Sequence, residues 1–289
     1  MKLIALGDNC IDYYRNTGEA FAGGNAVNVA VNAAEFGADA EYMGSMGSDD
    51  MTRIICNALD SRGIRRDRSP FLPGRTTKVC RYDLIDGERR YIDVVIGETW
   101  AGPPTLNAAQ MEGLALADIV VSSCNAKMPE CLAVVEQLPP VFAYDFGEKE
   151  KYRTAEYYDV VCHGIDLAMF SCTGMDKSEF RDFCAPLHRR GIVHVLATMG
   201  CAGQFISNGS EIVHCLPEPV DAIDTMGAGD AFLAGFVCRL WLSGWRKGCP
   251  MAGKTLYRAL KAGAQQAAKN CLREGGFGYK VELPTVNKQ

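Results

Sequence analysis

Residues Ile223 to Phe236 read IDTMGAGDAFLAGF, with two carboxylates, Asp224 and Asp230, on either side of three very small residues. An apolar helical run follows at once. Gly227, Ala228 and Gly229 let backbone come close to another group, and a helix N-terminus offers unpaired N–H groups at a positive dipole end. An anion suits that place, and Asp230 beside it becomes a candidate chemical participant. An acid in the first turn of a helix also needs no ligand to explain it. The stretch alone leaves both readings open.

Outward from this segment, short apolar runs alternate with amphipathic ones over most of the chain. KLIALGD opens as a strand; GNAVNVAVNAAEFG has helical spacing at Val27, Ala30, Val31 and Ala34 and stops at Gly37. AEYMGSMG reads as a strand, and DDMTRIICNALDSRG as a helix with acids in its first turn and Gly63 after its last. Later, DIVVSS, PVFAYDF, YDVVCHG and VHVLATMG read as buried strands, with helices between them such as DKSEFRDFCAPLHRRG, interrupted in pattern by Pro186. This rhythm predicts an α/β fold: a doubly wound, mainly parallel sheet sandwiched by helices.

One region breaks the rhythm. TTKVCRYDLIDGERRYIDVVIGE, residues 76–98, reads as two strands around Asp86–Gly87, a hairpin signal, and is partly polar on both faces. It suits a flap outside the core. A second hairpin turns at Asn208–Gly209 in GQFISNGSEIVHC. With no linker or repeat in view, the expectation is one domain over residues 1–289 with a β lid formed by about 11–22 and 75–98.

Composition narrows the function classes. A chain of 289 residues with 48% hydrophobic and 22% charged residues can bury a large core, and its net charge of −5 disfavours nucleic acid or an anionic membrane as partner. A phosphate ligand stays open, because backbone N–H groups can hold one without a basic surface. The 13 cysteines are scattered without a C-x-x-C pair, and the four histidines form no ligand-spaced group. Reduced thiols in a cytoplasmic protein explain this better than disulfides or a metal-chelating cluster.

Three further loops follow strands at the edge where open α/β sheets bind ligands. GDNCID places Asp12, an acceptor for sugar hydroxyls or a solvated turn acid. GGNAVNVA offers Gly24 for close approach and Asn25 and Asn28 as amides, although N-capping explains Asn25 almost as well. TMGCAG holds Thr198, Gly200 and Gly203, which can line a nucleotide phosphate or simply form a tight turn. The chain contains neither a P-loop nor a dinucleotide fingerprint.

In this order, the four loops resemble the PfkB/ribokinase family of sugar kinases. DTMGAGDAF is similar to that family's C-terminal signature and GGNAVNVA to its N-terminal one. The resemblance implies a ribokinase-like α/β fold with a β lid, an ATP-dependent kinase, and ATP with Mg2+, with K+ as a further cation. It implies Asp230 as catalytic base, with Gly227, Ala228 and Gly229 giving N–H groups to the transferring phosphoryl. Asp12, Gly24, Asn25 and Asn28 fall at sugar-binding positions. Thr198, Gly200, Gly203, Thr225, Ala264 and Ala268 fall at nucleotide positions, and Asp224 in the cation surroundings. The family's N-x-x-E segment is not matched: YDVVCHGIDLAMF offers only His163 and Asp166 in loosely similar places.

Within the family, GDNCIDYY, AFAGGNAVNVAVNAAEFGADA and PEPVDAIDTMGAGDAF look most like the branch that phosphorylates fructosyl amino acids. Such a substrate carries a charged amino-acid tail, whose ammonium group lid acids such as Asp93 or Glu98 can meet, although solvated strand-edge acids explain these two better. The alternatives are a kinase of the same mechanism for fructose, ribose or a nucleoside, and a sugar- or nucleotide-binding sensor that has lost catalysis. The lid can also serve as the clasp of a homodimer.

Overall fold

The computed structural model describes residues 1–100 and 105–282, so the last seven residues of the expected domain lie outside the described residues. Chain order runs β1 (Lys2–Leu6), β2 (Cys10–Tyr14), β3 (Glu19–Gly23), α1 (Asn25–Glu35), β4 (Asp39–Met43), α2 (Asp50–Ser61), β5 (Val79–Ile85) and β6 (Glu88–Val95). It continues with α3 (Ala108–Ala115), β7 (Ile119–Ser123), α4 (Pro129–Val135), β8 (Val141–Asp145), α5 (Ala155–Val161), β9 (Leu167–Ser171), α6 (Lys177–Arg189) and β10 (His194–Thr198). The last elements are β11 (Gln204–Ser207), β12 (Ile212–Cys215), α7 (Ala228–Leu242), α8 (Gly253–Cys271) and β13 (Lys280–Val281).

Eight strands form the main sheet in the order β12-β11-β10-β9-β8-β7-β1-β4, parallel from β4 to β10 and antiparallel at β11 and β12. Period-two alternation sends Leu3 and Ala5 of β1 to one face and Ile4 and Leu6 to the other. The first face packs on α1, α2, α7 and α8, the second on α3 to α6. Both faces are therefore covered, as continuous apolar strands require. α7 and α8 approach closely through glycine: a Cβ at Gly263 would lie 2.8 Å from the Phe232 carbonyl.

Where the lid is expected stands a second sheet of five strands, ordered β13-β3-β2-β5-β6. Its inner face carries Cys10, Tyr14, Phe21, Cys80 and Tyr82 against Met226, next to the IDTMGAGD turn. Arg81 and Asp93 pair at 2.7 Å on the outer face. β13 has no counterpart in the sequence reading, since two residues show no periodicity.

Three sequence expectations are corrected. YDVVCHG is not a strand: its first four residues lie in α5, capped by Thr154, whose hydroxyl accepts the Tyr157 N–H at 3.2 Å, and the strand is the following LAMFS. Asp12 sits on lid strand β2, not in a loop. Pro186 lies inside α6, which runs on through it to Arg189.

Candidate active site

Gly227 adopts φ 71°, ψ 4°, in the left-handed region, and its Cβ would lie 2.8 Å from the Gly276 carbonyl. Only glycine fits there without strain. The turn starts α7 so that Asp230 falls in its first turn, 6% exposed. Asn25 Nδ2 donates to Asp230 Oδ1 and Asn28 Nδ2 to Oδ2, each at 2.8 Å. Asn125 Nδ2 in turn donates to Asn25 Oδ1 at 2.8 Å.

The N-cap of α1 is Gly24, with no side-chain cap bond, so the capping explanation of Asn25 is corrected: its amide is an anchor for Asp230. Gly24 has φ 109°, and a Cβ there would sit 2.7 Å from Asn9 Cα. Two helix N-termini from opposite ends of the sequence thus meet at one carboxylate.

Burial pushes the Asp230 carboxyl up to about 7; the charges of Asp145 and Asp8 add to this, and the two amides oppose it. Were Asp230 the base that the resemblance implies, it would have to be deprotonated to act, and the deprotonated fraction falls as pH drops below the raised value. kcat/KM is therefore expected to rise about tenfold per pH unit below about pH 7 and to level off above it. A pH–rate profile flat from pH 5.5 to 8 would contradict this.

Asp145 escaped the sequence reading. It ends β8, is 7% exposed, and lines one cavity with Asn25, Ser122, Ser123 and Asp230. The Gly147 N–H donates to its Oδ1 at 2.8 Å, while Oδ2 takes no protein hydrogen bond among the described residues. Burial pushes its carboxyl up to about 6, against the Gly147 bond and the Arg153 charge. The signal was present: an acid closing the apolar run PVFAYDF at the ligand-binding edge of the sheet.

Lid and β1 loop supply a further acidic group. Asp12 is 2% exposed and lies against Gly23, where any side chain would collide with its Oδ2. Burial pushes it up to about 6, while a bond from Cys10 (3.4 Å) and the charges of Lys78 and Arg89 pull the other way. Lys78 Nζ pairs with Asp8 Oδ2 at 2.9 Å, and Asn9 Nδ2 donates to Tyr42 Oη at 2.7 Å, fixing the loop. Asp8 Oδ1 and Asn28 Oδ1 are buried acceptors with no protein partner among the described residues.

Thr198 ends β10, and the turn Gly200–Ala202 follows it, closed by Met199 N–H to Gly203 O at 2.9 Å. Gly200 (φ 53°) and Gly203 (φ 93°) are both left-handed, and a side chain at Gly203 would collide with the Cys215 carbonyl. This loop lies at the same sheet edge as Asp145. Ala268 is half-buried on α8.

Ala264 and Thr225 play other parts than expected, and Asp166 and His163, the residues loosely similar to the N-x-x-E segment, lie away from the site. Ala264 is 3% exposed in the core between α7 and α8, so it presents no surface to a base. Thr225 is engaged by the lid tip: its N–H donates to Gly87 O at 3.2 Å and its hydroxyl to Glu88 Oε2 at 3.4 Å. Asp166 precedes β9, at the opposite edge of the sheet, where it accepts from the N–H groups of Phe142 and Gly248 at 2.8 and 2.5 Å. His163 is exposed at that edge, its ring on the Asp159 carbonyl.

Asp224 is fully buried and accepts from Tyr14 Oη (2.5 Å), the Gly275 N–H (2.7 Å) and the Met226 N–H (2.8 Å). Burial and the Asp224 charge push the Tyr14 phenol up, so it stays a donor. Accepting from three protein donors, Asp224 is a strut joining the lid, the 224–227 turn and the loop after α8.

The model of the pfkB family of carbohydrate kinases matches residues 2–278. The fructosamine kinase FrlD of Bacillus subtilis is 30% identical over 283 residues, covering 96% of this chain and 94% of that protein. The fructoselysine 6-kinase of Escherichia coli is 31% identical over 278 residues, covering 96% and 100%. Among solved structures, ribokinase from Giardia lamblia superposes with a TM-score of 0.80 at 20% identity, covering 95% and 94%. Arabidopsis thaliana ribokinase complexed with ribose and ATP gives 0.75 at 20%, covering 95% and 93%.

Proposed function

The chain belongs to the pfkB family of carbohydrate kinases, ATP-dependent enzymes acting on sugars, and from that premise we propose that it phosphorylates the 6-hydroxyl of a fructosyl amino acid such as fructoselysine. The observation that carries this reading is full-length similarity, at 30 and 31% identity, to two kinases named for such substrates. Kinases of other sugars match at 22 to 26% and over less of the chain.

In this account Asp230 takes the proton from the attacking hydroxyl, and Asn25 and Asn28 aim its two oxygens. The first N–H groups of α7, which lack partners within the helix, meet the charge that develops on the transferring phosphoryl. Asp8 Oδ1 and Asn28 Oδ1 are free acceptors for sugar hydroxyls, beside Asp12. The Thr198–Gly203 loop and Ala268 form the nucleotide side. Asp145, through its uncommitted Oδ2, would hold the magnesium ion that accompanies ATP and neutralises phosphate charge. All 13 cysteines are free thiols, which supports a cytoplasmic setting; export of the protein to an oxidising compartment would remove it. No described helix is long and apolar enough to cross a membrane. Exposed Ile85, Val95 and Ile96 support pairing of two lids in a homodimer, and a monomer mass in solution would remove that element.

Gly229 offers a clean test of the phosphoryl position. Its φ is not left-handed, and nothing in the protein lies within 4 Å of where its Cβ would stand. Gly229→Val is expected to fold, which a melting curve checks, and to lose about a hundredfold or more in kcat. Full activity would place the phosphoryl elsewhere. The acceptor is tested by ADP release from ATP and magnesium with fructoselysine, other fructosyl amino acids, fructose, ribose and a nucleoside. Selective turnover of fructosyl amino acids is expected; turnover of a plain sugar alone would sink the substrate assignment.

A further inference from the structure

Of the two lid acids, Asp93 faces away from the site and Glu98 is exposed, as solvated strand-edge acids are. Asp93 is paired with Arg81 on the outer face, and Glu98 lies beyond β6, where its N–H donates to Thr76 Oγ1 at 3.3 Å. The inner face of β6 presents Arg89 and Tyr91 instead, in register with Leu84 and Tyr82. The Arg89 guanidinium stands 5.8 Å from the centre of the Tyr82 ring, and the charges of Asp12, Asp230 and Glu148 act on it. It therefore overhangs the mouth of the site.

The facing loop after β8 brings Lys149 to 5.6 Å from the centre of the Tyr91 ring, and Lys151 to 4.9 Å from that of Tyr152. Lys127, from the loop after β7, completes the rim. It adopts φ 50°, and the only other non-glycine residue with positive φ among those described is Asp86, in the hairpin turn. Burial lowers the Lys127 pKa, and the charges of Lys151, Lys149 and Lys78 lower it further. Like charges gathered at one mouth repel, and an anion relieves them. Among the described residues, neither Arg89 nor Lys149 forms an ion pair.

We infer that Arg89 and Lys149 form a subsite for the carboxylate of the acceptor's amino-acid tail. The inference rests on the fructosyl amino acid reading above. The floor, with Asp12, Asp145 and Asp230, repels an anion, so the carboxylate stays at the rim while the sugar goes in. A planar guanidinium suits it, since it can donate two parallel bonds to the two oxygens.

The experiment compares kcat/KM for fructoselysine and for its carboxamide, with wild type, Arg89→Gln and Lys149→Gln. Wild type is expected to prefer the acid by about 10- to 100-fold. Each substitution shrinks that ratio by raising KM for the acid, with KM for ATP unmoved, and Arg89→Lys keeps part of the preference. Thermal melting checks that the variants fold. A wild-type ratio near one overturns the subsite alone. So does an equal loss on both acceptors, or a rise in KM for ATP, which would give the cations to nucleotide phosphate. If wild type turns over neither compound but does phosphorylate a plain sugar, the substrate reading falls and the subsite with it.

Discussion

Asp230→Asn is expected to lower kcat by about 10²- to 10⁴-fold while sugar binding is largely kept. The amide has the shape of the carboxylate but cannot take the hydroxyl proton. The substitution leaves one NH2 group facing a donor, Asn25 Nδ2 or Asn28 Nδ2. Asn28 can absorb this by turning its amide, because its Oδ1 has no protein partner to lose. The variant should therefore fold, and calorimetry should show sugar still bound, weaker than wild type by no more than the one acceptor that Asn28 turns away. A variant that keeps most of its turnover would remove Asp230 from the role of base.

Asp224→Ala is expected to act on stability. Three buried donors, Tyr14 Oη and the N–H groups of Met226 and Gly275, lose their acceptor at once. Each orphaned buried donor costs about 1–3 kcal/mol, so the loss should reach about 3 kcal/mol or more. For a domain of this size that lowers Tm by roughly 6–12 °C. Activity should fall too, since the strut ties the lid to the turn that starts α7. An unchanged melting curve, with activity that merely needs more monovalent cation, would make Asp224 part of the cation surroundings rather than a strut.

The layered fold was legible because buried parallel strands announce themselves as apolar runs between amphipathic ones. The misreading of YDVVCHG shows where that signal ends: an apolar run of strand length also suits a short buried helix, and Thr154 and the packing of Val161 decided it. Asp230, Asn25 and Asn28 were legible as residues, whereas their meeting was not, because bonds spanning more than 200 positions leave no local pattern. Asp145 was hidden by its strand. Ala264 shows the opposite fault: it stands at a position where the resemblance implies ligand contact, and burial gives it to the protein itself. The basic rim gathers Arg89 from a lid strand and Lys127 and Lys149 from two separate loops, so no window of sequence contains it.

The most direct measurement is the phosphorus NMR spectrum of the product formed from ATP, magnesium and fructoselysine. Transfer to the 6-hydroxyl predicts one new phosphomonoester signal split into a triplet by the two methylene protons, growing in step with ADP and absent with Asp230→Asn. ADP without a new phosphomonoester, or a doublet from a secondary position, would contradict the account.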